Sequence, residues 1–212
     1  MLGMLRVLKH MPAALRKHAS RPLDYSTASP ALGGTVGIHD PALNLFLRAT
    51  LEHGYQTVIE IGAYSGARIL TLKRLVPAID AWALDIIPPY AVPSERDGVR
   101  FERYDLSFFD RPLARALVCS RGTLSMMPPD QVEALMHRLA ERGFDLALCE
   151  PVAYRSVPHP LRRAAGSYYY PYEHMFRHVG MAPQSTFEDA TRFGFNLSMM
   201  EAWYVTLARV SR

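Results

Sequence analysis

From Gln56 onward, short apolar runs and amphipathic stretches take turns along the chain. Thr57 to Gly62 is β-branched and nearly continuous, the pattern of a buried strand. Ala63-Tyr64-Ser65-Gly66 reads as a turn. Ala67 to Leu75 repeats apolar residues at helical spacing, with Ile69, Leu70, Leu72 and Val76 inward and Pro77 as the stop. Further strands are expected over Ala81–Ile86, Val99–Tyr104, Leu117–Ser120 and Phe144–Glu150. A helix from Pro128 to Ala140, ended by Gly143, separates the last two. Strands alternating with helices predict parallel βαβ units and an open α/β sheet.

Before Gln56 the pattern differs. Asp40 followed by Pro41 is a helix start, with apolar positions to Leu51 and a stop near Gly54. Asp24 to Gly37 is rich in Ser, Thr, Pro and Gly and reads as a connection. In residues 1–20, Leu5, Leu8, Ala14 and Leu15 form a helical stripe interrupted at Pro12. Lys9, His10 and Pro12 break the apolar core that a secretory signal needs. The expected division is an N-terminal helical arm or lid over 1–54 and one α/β domain over 55–212. A lid or dimer contact is the preferred role for the arm; a membrane-surface helix and a transit peptide stay open.

Composition changes this picture little. Of 212 residues, 49% are hydrophobic and 21% charged, which excludes disorder as the main state. No apolar run reaches the length of a membrane span. The net charge is +4, but residues 1–20 hold four of the 24 basic residues and no acid. That leaves 20 bases against 20 acids in the rest, so no dedicated nucleic-acid surface is expected. Cys119 and Cys149 lie in apolar runs and read as buried thiols in a reducing, cytoplasmic compartment.

The chemistry gathers at the strand tips, where ligands of open α/β sheets bind. Glu60-Ile61-Gly62-Ala63-Tyr64-Ser65-Gly66 sets two glycines at a strand-to-helix turn. Asp85 ends the next strand, 23 residues after Gly62, where a carboxylate can accept both hydroxyls of a ribose. Asp105 follows the third strand, in reach of an adenine edge. A dinucleotide site needs G-x-G-x-x-G; here Tyr64 stands in place of the middle glycine and would obstruct a pyrophosphate. Three acids suit a cationic ligand better than a polyphosphate.

This constellation resembles the class I S-adenosylmethionine-dependent methyltransferases over about residues 55–210. Glu60, Gly62 and Gly66 match the family's first motif, Asp85 its ribose acid and Asp105 its adenine-side acid. Cys119 to Leu124 looks like the segment bordering the methionine portion, with Ser120 and Arg121 its polar residues. Tyr172 to Gly180 looks like the helix before the last hairpin, and Phe187 and Trp203–Ala208 like its strands. The resemblance implies a Rossmann-like three-layer sandwich with a mostly parallel seven-stranded sheet and an antiparallel last strand. It implies S-adenosylmethionine as cofactor, S-adenosylhomocysteine as product, and Ala63, Tyr64, Ile86 and Leu106 flanking the ligand. Two features depart from the family: Arg115-Ala116 stand where an Asp often opens the fourth strand, and Pro88–Gly98 is too broken for a full helix.

Methyl transfer needs orientation, and a base only if the acceptor must lose a proton. His39 and His159 are the candidate bases. The loop after the fifth strand carries Tyr154, Arg155, Arg162, Tyr168 and Tyr169, which suit an aromatic or anionic acceptor. No His, Cys, Asp or Glu cluster has metal-ligand spacing, so no metal is expected. The reading is methylation of a small molecule, at oxygen rather than nitrogen, since Ser125–Pro129 lacks the Asn/Asp-Pro-Pro-aromatic signature. An RNA or protein methyltransferase, a silent binding subunit of the same fold, and a homo-oligomer stay open. Tyr64 disfavours a nicotinamide enzyme.

Overall fold

Asp40 accepts from the Leu43 amide at 2.8 Å and Pro41 takes the first helical position, so α1 runs Pro41–His53 and stops at left-handed Gly54. Thereafter come β1 (Thr57–Ile61), α2 (Ala67–Leu75), β2 (Asp80–Asp85), β3 (Ser94–Arg96), β4 (Val99–Arg103) and β5 (Ala116–Arg121). Then follow α3 (Pro129–Arg142), β6 (Asp145–Ala153), β7 (Leu161–Arg162), β8 (Tyr168–Tyr169), α4 (Tyr172–His178), β9 (Met181–Gln184) and β10 (Glu201–Val210). This computed structural model describes residues 30–37, 39–153, 159–162, 167–184 and 201–210. The expected arm helix over 1–20, Tyr154, Arg155 and Phe187 lie outside them, as does the Arg162 side chain.

The main sheet has eight strands in the order β3-β4-β2-β1-β5-β6-β10-β9. β4, β2, β1, β5 and β6 are parallel, and β10 is antiparallel to both its neighbours. Leaving out β3, the order is third, second, first, fourth, fifth, seventh, sixth. The expected mostly parallel seven-stranded sheet with an antiparallel last strand is therefore present, with one strand added. β3 is a short exposed edge strand hairpinned to β4 through Asp97-Gly98, both at positive φ. The strand beside β10 is Met181–Gln184, earlier than the expected Phe187.

Side chains alternate across the sheet and meet helices on both faces. Val58, Ala81, Leu117 and Ala147 pack under α1 and α2. Ile59, Ile61, Val118 and Leu146 pack under α3 and α4. Ala42, Leu43, Leu45, Phe46 and Ala49 of α1 are part of the first cluster. α1, which falls within the expected arm over 1–54, thus packs its apolar face on the sheet. Both cysteines are buried and unpaired, and burial raises both thiols, Cys149 to about 12.

Candidate functional site

The chain order reverses between β1 and β5, where two connections leave in opposite directions and a crevice opens beyond the strand ends. A cavity of about 500 Å³ lies there. Its walls come from the tips of four strands: Ile61, Gly62 and Tyr64 after β1, Asp85–Ile87 after β2, Tyr104 after β4, and Arg121–Thr123 after β5. Met126, Met127, Pro128 and Gln131, at the start of α3, close the far side.

The floor of this cavity is held by Asp85. Its carboxylate accepts from the Tyr64 amide at 2.8 Å, the Ile86 amide at 2.7 Å and the Ile87 amide at 3.3 Å. It thereby ties the glycine turn to the tip of β2. A carboxylate offers about four acceptor positions, so capacity remains on the side that faces the cavity. Gly62 and Gly66 are glycine for steric reasons. Both have positive φ, and a Cβ on Gly62 would stand 2.0 Å from Thr123 Oγ1, one on Gly66 2.4 Å from Phe101. Tyr64 also has positive φ, 54°, uncommon for a residue with a side chain, and its ring is half exposed at the cavity.

A second carboxylate holds the opposite wall. Glu150 on β6 accepts from Ser120 Oγ at 2.5 Å and from the amides of Thr123, Leu124 and Ser125 at 2.9, 3.1 and 3.2 Å. Burial raises its pKa, opposed by these hydrogen bonds. Tyr170 adds a strut, its hydroxyl donating to the Met127 carbonyl at 2.5 Å.

Of the residues expected around a cofactor, Gly62, Tyr64, Asp85, Ile86 and Arg121 line the cavity. Others are placed elsewhere. Glu60 is buried on the α1–α2 face and is engaged by Arg68 and by the Ile69 amide at 3.2 Å. Arg68 also reaches Asp40 at 3.3 Å, and Arg121 stands 4.0 Å from Asp40. Glu60 thus ties α2 to β1 and does not line the cavity. Asp105 is exposed and accepts from the amide and hydroxyl of Ser107, which lower its pKa; it caps the turn over Leu106–Asp110. Its neighbour Tyr104 is the cavity residue, while Leu106 packs on the core. Ala63 and Gly66 are buried behind the turn, and Ser120 is fully buried on Glu150.

The substrate and base expectations fare similarly. His39 and His159 are exposed and do not line the cavity. Tyr168 and Tyr169 do not line it either. Tyr168 packs at a tilt against Tyr170, which leads to Tyr172 and Phe176 in an aromatic ladder over the α3 face of the core. Reading by sequence assigned no site role to Met126, Met127, Gln131 or Glu150. The Pro128-Pro129 helix start marked their neighbourhood, but nothing in the sequence aimed them inward.

Away from the cavity, Glu133 and His137 on α3 meet His178 on α4, with ligand atoms all within 4.8 Å of one another. The expectation that no cluster has metal-ligand spacing overlooked this group, because its third member comes from a different helix.

No family model matches this sequence, and no curated protein matches it. Solved structures do. The N-terminal domain of EvdMO1, solved in the presence of S-adenosylhomocysteine and D-fucose, is 14% identical with a TM-score of 0.56, covering 96% of this chain and 99% of that one. Human N-acetylserotonin methyltransferase in complex with S-adenosylmethionine is 16% identical with a TM-score of 0.53, covering 80% of this chain. The mitomycin 7-O-methyltransferase MmcR is 13% identical with a TM-score of 0.53, again covering 80%. This chain spans about half the length of the last two, 52% and 54%. The chain has the fold of the class I S-adenosylmethionine-dependent methyltransferases. Among the described residues no helix is long and apolar enough to cross a membrane.

Proposed function

We propose that this protein is an S-adenosylmethionine-dependent methyltransferase that methylates a small molecule, at oxygen in preference to nitrogen. The observation that carries the reading is Asp85: a carboxylate anchored by three amides on the floor of an otherwise mostly apolar crevice, at the point where the strand order reverses. The cavity volume falls in the usual range for small-molecule sites, roughly 300–1,000 Å³. Its residues fit the cofactor. Asp85 would accept a ribose hydroxyl at its remaining position; Ile86, Ile87 and Tyr104 would cover the adenine. Burial, then the Asp105 carboxylate, push the Tyr104 phenol up to about 12, so it stays neutral at neutral pH. Arg121, which lines the cavity, would offer a cation to the cofactor's carboxylate. Bound there, S-adenosylmethionine supplies a sulfonium methyl for in-line transfer, leaving S-adenosylhomocysteine.

Met126, Met127, Pro128 and Gln131 offer the acceptor an apolar wall with one amide. Among the described residues lining the cavity there is no imidazole or lysine to serve as a base. The small-molecule class is supported by the names of the solved relatives, one of them an O-methyltransferase.

Titration calorimetry with S-adenosylhomocysteine tests the reading. Micromolar binding to the wild type, weakened about tenfold or more in Asp85→Ala, is expected, because a hydrogen bond to a charged group is worth about 1.5–3 kcal/mol. Absence of binding to the wild type overturns it.

A further inference from the structure

The geometry points to a binding site for a divalent transition-metal ion of the zinc class, formed by Glu133, His137 and His178. Glu133 and His137 are four residues apart on α3, so they share one face of the helix. His178, the last residue of α4, brings its ring edge-on to His137, with centroids 5.8 Å apart and planes at 84°. One ligand atom from each of the three lies within 4.8 Å of the others. A tetrahedral ion with bonds of about 2.0–2.2 Å needs its ligands roughly 3.3–3.6 Å apart. Closing that difference takes only rotation of surface side chains. Two imidazoles and one carboxylate form a borderline donor set that suits zinc better than magnesium or calcium, which take oxygen ligands. Water completes the fourth position.

The neighbouring cation does not compete for the carboxylate: Arg138 is paired with Asp110 and Glu141. The site is a staple, with no part in the proposed methyl transfer. It joins α3, which carries the cavity residue Gln131, to α4, which follows the Tyr170–Tyr172 ladder bracing Met127. An ion there would stiffen the far wall of the cavity.

Zinc chloride titration calorimetry on the full chain, without an affinity tag, tests the site, paired with thermal unfolding in zinc and in EDTA. The variants are His137→Ala, His178→Ala and, as control, His174→Ala, an exposed histidine outside the cluster. The expected result is one ion per chain at micromolar affinity and a midpoint raised by several degrees in zinc. Either cluster variant should weaken binding about tenfold or more, with His174→Ala unchanged and all four proteins melting alike in EDTA. No saturable binding to the wild type overturns the proposal. So does equal binding in the wild type and His178→Ala, or an equal loss in His174→Ala.

Discussion

Asp85 at the tip of β2 and Glu150 within β6 do similar work on opposite sides of the cavity. Each carboxylate accepts three backbone amides and so fixes a loop that forms a wall. They differ in the fourth position. Glu150 is 0% exposed and takes the Ser120 hydroxyl there. Asp85 is 8% exposed and faces the cavity. Glu150 has its positions filled by the protein itself, while Asp85 keeps acceptor capacity on the cavity. Glu60 is buried away from the cavity on Arg68 and the Ile69 amide, and Asp105 lies exposed outside the cavity with Ser107 on one of its oxygens.

The largest effect is expected at the filled site. Glu150→Ala strands three amides and a hydroxyl under the β5 loop and should cost on the order of 3 kcal/mol in urea unfolding. A loss below about 1 kcal/mol would break the contrast with Asp85. Gly62→Ala comes next: its Cβ meets Thr123 at positive φ, so a loss of about 2 kcal/mol is expected by the same measurement. Asp85→Ala should cost stability by only about 1 kcal/mol, because water entering the cavity can serve its amides. It should nonetheless show the larger loss in S-adenosylhomocysteine binding.

Asp40 is the intermediate case and the smallest effect. Burial alone would raise its pKa, but the Leu43 amide, Arg68 and Arg121 together hold it below the ordinary 3.8. A depressed acid contributes stability above its unfolded pKa and loses it as pH falls through the native value. Asp40→Asn keeps the cap and removes the charge. It should lose less than about 1 kcal/mol at pH 7, a gap that narrows below pH 3.8, checked by urea unfolding at both ends.

The fold was legible because the strands near its centre are continuous apolar runs with glycine or proline stops, and α1 carries its own cap. Asp97-Gly98 is a strong hairpin signal and could have revealed β3. β9 was harder: four residues, three of them exposed, with Pro183 at an edge. At the site, Gly62 and Asp85 were readable from position in the strand-turn-helix pattern. Glu60 was harder to place, because an acid in a strand shows only that it needs a partner, and Arg68, eight residues on, is one. Glu150 was invisible for the opposite reason. Its amide partners lie 25 to 27 residues earlier, and any residue type can supply a backbone N–H. The Glu133–His137–His178 group likewise depends on two helices meeting.

The most direct test is a structure of the protein with S-adenosylhomocysteine. A ribose hydroxyl oxygen should lie about 2.5–3.0 Å from the Asp85 carboxylate, with Glu150 still on its four donors. A ribose held by Glu60 or Asp105, or a ligand that leaves the cavity at the β1–β5 reversal empty, would contradict the account.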